Sequence, residues 1–492
     1  MTLSPALVAA MLLAVLAPSA PAADRPNVLW IVVDDMSADF GCYGATAVPT
    51  PHVDRLAAEG TRFAHAFVTA PVCSPCRSAL ITGMYQTTIG AHHHRSGRGS
   101  EKIRLPAGVR PVPAIFHEAG WYTCSGDGLP GPALNARGRP QGLGKTDYNF
   151  EWDAAIYDGE DWAERKPGQP FFMQVQLPGG KLRDGKAGLE RVRQQATEAF
   201  GAATDAETVS LPPYLPRDPV LLADRAAYLD AVRLTDAHVG RVLARLEAEG
   251  ILDETLVIFM TDHGISHVRA KQFLYDEGTH VPFIVRGPGI PRGEVREDLV
   301  EHIDMPAISL AAAGLPIPPA MQGRDVFANG YAARDAVFAA RDRCDETVDR
   351  IRSVRTPDWL YIRNFHPGRP MLQPNAYKDA KPTLVALRGL QTAGSLDPAT
   401  ERLLFAPTRP PEELYRWRED RWQLENLAAD PAHADALAAL RGRLDRWMAE
   451  TGDRGPEPDA MYESDMKVYV GEGRSEVEAN IATMKRWAAE GK

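Results

Sequence analysis

The chain has 492 residues, 44% of them hydrophobic and 24% charged, with a formal net charge of −10. That supply of apolar side chains is enough for a large core, and the length implies roughly two or three domains. The acidic balance disfavours nucleic acid as a partner, so an anionic substrate would need a locally basic pocket inside an acidic shell.

In chain order, the first feature is an apolar run from Ala6 to Leu16, followed by the small residues Ala20-Pro21-Ala22. The run is too short to cross a bilayer and reads as a signal peptide over 1–22, with export to the periplasm or secretion. No second long apolar stretch follows, so no membrane span is expected. Asn27 to Val33 is an apolar run of strand length, expected to be buried on both faces, and it ends on Asp34-Asp35. Thr50 and Pro51 predict a helix cap and first residue, with Gly60 as terminator. The segment Val72 to Gly83 (VCSPCRSALITG) puts Cys73 two residues before a proline near a helix entrance, with Gly83 closing the helix. A helix N-terminus turns free N–H groups toward an anion, and Arg77 adds a permanent cation beside them. His92-His93-His94-Arg95 follows. A histidine run suits the surface, a metal or a substrate; substrate contact by one of the three, His94, is the expectation.

Pro170 to Leu177 is strand-like and runs into Pro178-Gly179-Gly180-Lys181. From Asp224 to Glu249, Tyr228, Val232, Thr235, Val239, Val242 and Leu246 recur at spacings of four and three. They mark one face of a long helix, ended by Gly250. Thr255 to Met260 is another buried strand, ending on Thr261-Asp262-His263-Gly264. A stretch rich in proline and glycine, Gly314 to Gly323, precedes a change of character. Beyond it Trp359 to Ile362 is strand-like, and Asp435 to Thr451 is an amphipathic helix through Leu437, Leu440, Leu444 and Met448. Ser475-x-x-Glu478 has the pattern of a capping box for a last helix, with Val477, Ile481 and Met484 on its face. The expected units are 23–335, a catalytic domain; 336–455, a smaller subdomain; and 456–492, a tail. Five cysteines (42, 73, 76, 124 and 344) show no paired framework.

Strand, helix and strand alternating in this way predict an α/β fold. The expectation is a mixed, mostly parallel central sheet flanked by helices, with a smaller C-terminal α+β subdomain. Ligands of such sheets bind beyond the carboxyl ends of strands. Asp34-Asp35 and Asp262-His263 occupy equivalent strand ends, which favours metal binding over simple strand-end solvation. Three carboxylates suit a hard divalent cation such as Ca²⁺, while the imidazole of His263 also suits Zn²⁺ or Mn²⁺.

Cys73, Pro75, Arg77, Thr82 and Gly83 fall on a pattern that resembles the sulfatase signature, with Cys76 where the family more often has Ser or Ala. The resemblance spans about Pro26 to Gly455. It implies that Cys73 is oxidised to formylglycine by a formylglycine-generating enzyme and that its hydrate attacks sulfur. It implies a Ca²⁺ site at Asp34, Asp35, Cys73, Asp262 and His263, where the last residue is usually Asn. Lys271, within a stretch continuing to VPFIVRGPG, matches the family's sulfate-contacting lysine. Lys145 in Gly144-Lys145-Thr146-Asp147 matches a second one, with Asp147 in place of a histidine. The family's other histidine, after the Phe171-Phe172 strand, is also missing, and Lys181 is the nearest candidate for its role. Glu413-Leu414-Tyr415 and Glu425-Asn426-Leu427 resemble the family's C-terminal stretch. The layout of TPHVDRLAAEG, LPPYLP and IRSVRT is similar to heparan N-sulfatase-like members, which implies a sulfated sugar or glycosaminoglycan fragment as substrate. Two other readings stay open: a phosphodiesterase or phosphonate monoester hydrolase on the same fold, favoured by His263, and a non-catalytic glycan-binding protein, favoured by the two missing histidines.

Overall fold

The computed structural model of the chain describes residues 25–131, 142–266, 268–471 and 473–492. The expected signal peptide lies outside them. Among the described residues seven strands form the main sheet. They are β1 (Asn27–Val33), β2 (Thr61–Phe67), β3 (Tyr122–Gly126), β4 (Phe171–Leu177), β5 (Thr255–Thr261), β6 (Phe283–Arg286) and β7 (Glu294–Glu301). Their spatial order is β3-β4-β1-β5-β6-β2-β7. β1 pairs in parallel with both β4 and β5, and β6 runs against its neighbours β5 and β2, so the sheet is mixed and mostly parallel, as expected.

β1 and β5 are buried along their whole length. Their residues alternate between two cores. Leu29, Ile31 and Val33 pack with Val257 and Phe259 under the long helix Pro219–Ala248. Val28, Trp30 and Val32 pack with Ile258 and Met260 against the helices Cys73–Thr82 and Asp304–Ala312. Burial on both faces is what a continuous apolar run without polar alternation requires.

A second, four-stranded antiparallel sheet follows, from β8 (Val337–Arg341), β9 (Ile351–Arg355), β10 (Leu360–Asn364) and β11 (Glu412–Tyr415). The helix Ala434–Glu450 lays Leu440, Leu444 and Trp447 on one of its faces. Two further helices, Asp459–Val470 and Ser475–Ala489, complete the C-terminal region. Among the described residues no helix is long and apolar enough to cross a membrane.

Three local expectations are corrected. The long helix starts before Asp224, because Asp218 caps it through Val220 N and Pro219 takes the first helical position. Thr50 precedes its helix, but its hydroxyl accepts from Gly41 N, and Gly60 is small because Val285 O would lie 2.3 Å from a Cβ there. Ser475 is the first helical residue, after Arg474 as N-cap, so no capping box forms.

Candidate active site

Strand register gathers the site. Val33 is level with Thr261 on one side and with Leu177 on the other, so three chain segments leave the sheet side by side. They carry Asp34-Asp35, Asp262-His263 and Pro178-Gly179-Gly180-Lys181. Backbone bonds lock them together, Asp262 N to Val33 O at 2.9 Å and Gly180 N to Asp34 O at 2.9 Å. Glycine is required in this loop. A Cβ on Gly179, whose φ is 49°, would sit 2.3 Å from Asp34 O, and one on Gly180 would sit 2.0 Å from Asp35 O. Only a loop without Cβ atoms lies this close to the aspartate backbone and still delivers Lys181 to the pocket.

The Cys73–Thr82 helix aims its first turn at this group, with Gly83 in the left-handed conformation (φ 65°) at its end. Cys73 Sγ lies 3.1 Å from His263 Nε2, 3.3 Å from Lys271 Nζ, 3.6 Å from Lys181 Nζ and 3.8 Å from Asp35 Oδ1. Burial by itself pushes the Cys73 thiol up. Lys145, Lys181, Lys271 and His263 outweigh it and hold the thiol well below its ordinary range. Cys76, one turn further on, faces Asp262 from within the core and is pushed well up by burial.

Arg77 is buried and committed to the acidic groups rather than open to a ligand. It donates to Asp34 Oδ1 (2.6 Å), Asp262 Oδ2 (3.0 Å), Gln176 Oε1 (2.6 Å) and the carbonyl of Lys145 (2.8 Å). Lys145 Nζ lies 2.7 Å from Asp34 Oδ1, Lys181 Nζ 3.2 Å from Asp34 Oδ2, and Lys271 Nζ 2.9 Å from Asp35 Oδ1. Four cations (Arg77, Lys145, Lys181, Lys271) thus surround three carboxylates (Asp34, Asp35, Asp262). The pocket is locally basic inside an acidic protein, as an anionic substrate demands.

The acidic residues have the character of metal ligands. Asp35 adopts φ 51°, and its Oδ2 is buried without a hydrogen-bond partner. Burial pushes the Asp262 carboxyl up to about 7; Asp34 beside it adds to this, against the pull of His263 and Arg77. His263 Nδ1 donates to the carbonyl of Gly264 at 2.9 Å, which fixes the ring with Nε2 toward Asp35 and Cys73. Burial lowers its pKa, but Asp262, Cys73 and Asp35 outweigh this and raise it, so a bound cation would take the place of the Nε2 proton. Ligand atoms of Asp35, Cys73 and His263 lie within 4.8 Å of one another, as do those of Asp34, Cys73 and Asp262. An orphaned carboxylate oxygen, a crowded carboxyl and an oriented imidazole are what a divalent cation would satisfy.

The remaining predicted residues are further out. His94 Nδ1 is 2.9 Å from Ser74 Oγ and its Nε2 is 3.6 Å from Asp345 Oδ1, so it lies behind the helix entrance. Burial, with Arg95 and the pocket lysines adding to it, holds its imidazole well below the ordinary range. Asp147 pairs with Arg98 at 2.9 Å, and the carboxylate that engages Lys145 is Asp34.

Sequence reasoning missed Gln176, the neutral partner of Arg77; the signal was the pair Gln174 and Gln176 at alternate positions of an otherwise apolar strand. It also missed Asp345 and Tyr469, which reach the His94 side from the second sheet and the Asp459–Val470 helix, with Tyr469 donating to Asp345 at 2.9 Å. Nothing local in the sequence marks them. Asp35, Arg95, Asp147, Gln272 and Asp345 all have positive φ, the kind of backbone strain that gathers at functional sites.

Comparison with known proteins gives a consistent result. The family model described as Sulfatase matches residues 26–315. A ulvan-active sulfatase of Formosa agariphila is 31% identical over 478 residues, covering 89% of this chain and 77% of the relative. The N-sulphoglucosamine sulphohydrolase of Homo sapiens is 27% identical over 491 residues, covering 87% of this chain and 91% of its own. Among solved structures, a 2-O GAG sulfatase superposes with a TM-score of 0.60 at 20% identity, covering 87% of this chain and 93% of the other, which is a likeness of fold.

Proposed function

This chain belongs to the sulfatase family of sulfuric ester hydrolases, and from that premise we propose that it releases sulfate from a sulfated sugar or glycosaminoglycan fragment. The single observation that carries the reading is position 73. It sits at a helix N-terminus, with Lys271, Lys181 and His263 within 3.6 Å and the carboxylates of Asp34, Asp35 and Asp262 beside them. A relative named for N-sulphoglucosamine and another named for ulvan support a carbohydrate substrate.

In this proposal Cys73 is converted to formylglycine by a formylglycine-generating enzyme. One divalent cation such as Ca²⁺ would be held by Asp34, Asp35, Asp262 and His263 together with residue 73, and would supply, with the formylglycine hydrate, a nucleophilic oxygen of lowered pKa and Lewis-acid polarisation. The chain's own residues do the rest. Lys271, Lys145 and Lys181 hold the negative charge that grows on the sulfate oxygens, in a buried site where a fixed cation needs no reorganisation. Arg77 acts through the carboxylates, fixing Asp34 and Asp262 in place. Lys181 Nζ, 3.6 Å from Cys73 Sγ, is the nearest candidate to give a proton to the departing sugar oxygen or nitrogen, a role the family gives to a histidine. Asp34, Cys73 and Asp35 outweigh burial and raise its pKa, so the proton would leave only once substrate and cation take up those charges. His94, through its 2.9 Å bond to Ser74, and Asp147, through Arg98, would act on the substrate only by way of those neighbours. Export of the chain, with residues 1–22 removed, belongs to the same proposal and is checked by N-terminal sequencing of the mature protein.

Release of inorganic sulfate from an aryl sulfate and from N-sulphoglucosamine tests the activity, alongside intact mass of the peptide holding residue 73. Turnover with an aldehyde or its hydrate at that position is the expected outcome; active protein carrying only thiol there ends the formylglycine reading. A second reading, phosphodiester or phosphonate monoester hydrolysis, is favoured by the imidazole of His263 in the carboxylate cluster. Faster phosphate or phosphonate release than sulfate release, on matched aryl esters, would select it.

A further inference from the structure

Two residues of the histidine run, His92 and His93, do not join the candidate active site. They are buried beside Asp342, which leaves the second sheet just after β8, and one ligand atom from each of the three lies within 4.8 Å of the others. The His92 and His93 rings are 4.0 Å apart between centroids. Four of the group's polar atoms are buried without a hydrogen-bond partner: His92 Nδ1, both ring nitrogens of His93, and Asp342 Oδ1. Buried polar atoms are nearly always paired, so four orphans within one three-residue cluster need a cause.

The surroundings define what is missing. His92 Nε2 lies 2.8 Å from the carbonyl of Gly455, which accepts and cannot donate, so Nε2 is the donor and Nδ1 is the nitrogen left to face a ligand. Asp342 Oδ2 accepts from Arg352 at 2.9 Å, and Arg352 is in turn held by Asp453 at 2.6 Å. Neither ring nitrogen of His93 is held, but in His92 and Asp342 the second polar atom is anchored by a group that fixes the side chain's orientation. That is the arrangement found behind metal-bound imidazoles and carboxylates. Burial, helped by the neighbouring positive charge of Arg343 and Arg352, holds the His93 imidazole well below its ordinary range, so it too offers a lone pair. A divalent cation would accept a lone pair from each of the three residues, whereas a buried water would have to donate to two of them and accept from the N–H of His93.

We propose that His92, His93 and Asp342 bind a divalent first-row transition metal such as Zn²⁺, separate from the cation of the active site. Two imidazoles and one carboxylate suit that class better than Ca²⁺. The site joins the loop after the Cys73–Thr82 helix to β8 and, through Gly455 and Arg352, to the segment after the Ala434–Glu450 helix. It pins the base of the loop that carries His94 and Arg95, so its role is to staple the second sheet to the main one.

The test is Zn²⁺ titration of the metal-stripped full-length protein, with elemental analysis of retained metal and the visible spectrum of the Co²⁺ form. Wild type and Asp262→Asn should each retain one Zn²⁺ at this site, with a Co²⁺ spectrum of nitrogen and oxygen ligation and a Tm raised by several degrees at saturating Zn²⁺. His93→Gln should lose that metal, weakening binding by at least about a hundredfold. Asp342→Asn preserves shape and the acceptor for Arg352, and should lose the Zn²⁺-dependent rise in Tm while keeping its circular dichroism. Zn²⁺ binding that disappears in Asp262→Asn and survives His93→Gln would overturn the proposal, because the metal would then belong to the active site. Folded wild type that retains no Zn²⁺ would overturn it too.

Discussion

Lys271→Met removes a charge from the pocket while keeping a linear apolar side chain of similar length. Lys271 Nζ lies 3.3 Å from the side chain of residue 73 and 2.9 Å from Asp35 Oδ1, and the residue is 4% exposed. At that distance, a unit charge developing on the reacting group interacts with the ammonium by about 5 kcal/mol at an effective dielectric of about 20. Some of this is already spent on Asp35 in the ground state, so only the increment gained on reaching the transition state counts toward rate. Loss of a single oxyanion-stabilising donor costs about 2.7–4 kcal/mol in comparable sites, so kcat should fall roughly 10²–10³-fold. The assay is initial rates on a sulfated aryl ester under saturating divalent cation, with kcat and KM resolved separately. KM should change little, since a compact cation meeting growing charge acts on the transition state. Asp35 keeps His263 Nε2 at 3.2 Å, so the fold should survive, as circular dichroism would report. A drop in kcat of less than about threefold would refute the reasoning and make Lys271 merely the counter-ion of Asp35.

Asp262→Asn should lose the active-site cation and turnover together, since a site of three carboxylates depends on each to offset the cation's dehydration; full activity after chelation would remove Asp262 from the ligand set. Lys181→Ala should cost more on a substrate with a poor leaving group than on an activated aryl sulfate, because protonation matters most where the leaving group is basic; equal losses on both would make Lys181 a sulfate contact only. Gly180→Ala should reproduce much of the Lys181→Ala loss with all site side chains present, because its Cβ would meet Asp35 O at 2.0 Å and force the loop away; wild-type kcat would show the loop to be free to shift. Stability in acid should depend on Asp453. Burial alone would raise its pKa, but its bonds to Arg352 lower it to about 2. A folded-state pKa below the unfolded value gives stability that is present above the unfolded pKa and lost as pH falls through the folded one. Between about pH 5 and about pH 2, wild type should lose about 2 kcal/mol more than Asp453→Asn in urea unfolding, and equal losses would assign the proton linkage elsewhere.

The sequence by itself determined the parts of this protein that local chemistry dictates. Apolar runs such as NVLWIVV have only one stable environment, a strand buried on both faces, and β1 and β5 are buried throughout. The proline and glycine punctuation around CSPCRSALITG defined the helix carrying Cys73, because those residues restrict the backbone whatever surrounds them. Asp34-Asp35 and Asp262-His263 were legible as a pair, since parallel strands put their carboxyl ends on one edge. What only the tertiary structure decided are the encounters between segments distant in the chain. Arg77 looked free to hold an anion, yet register brings Asp34, Asp262 and Gln176 to its guanidinium and commits it to them. His92-His93-His94 reads as one run, but its turn directs His94 toward Ser74 and the other two toward Asp342, about 250 residues away. Which partner a polar side chain meets depends on strand order and loop path, and neither is written in the spacing of residues along the chain.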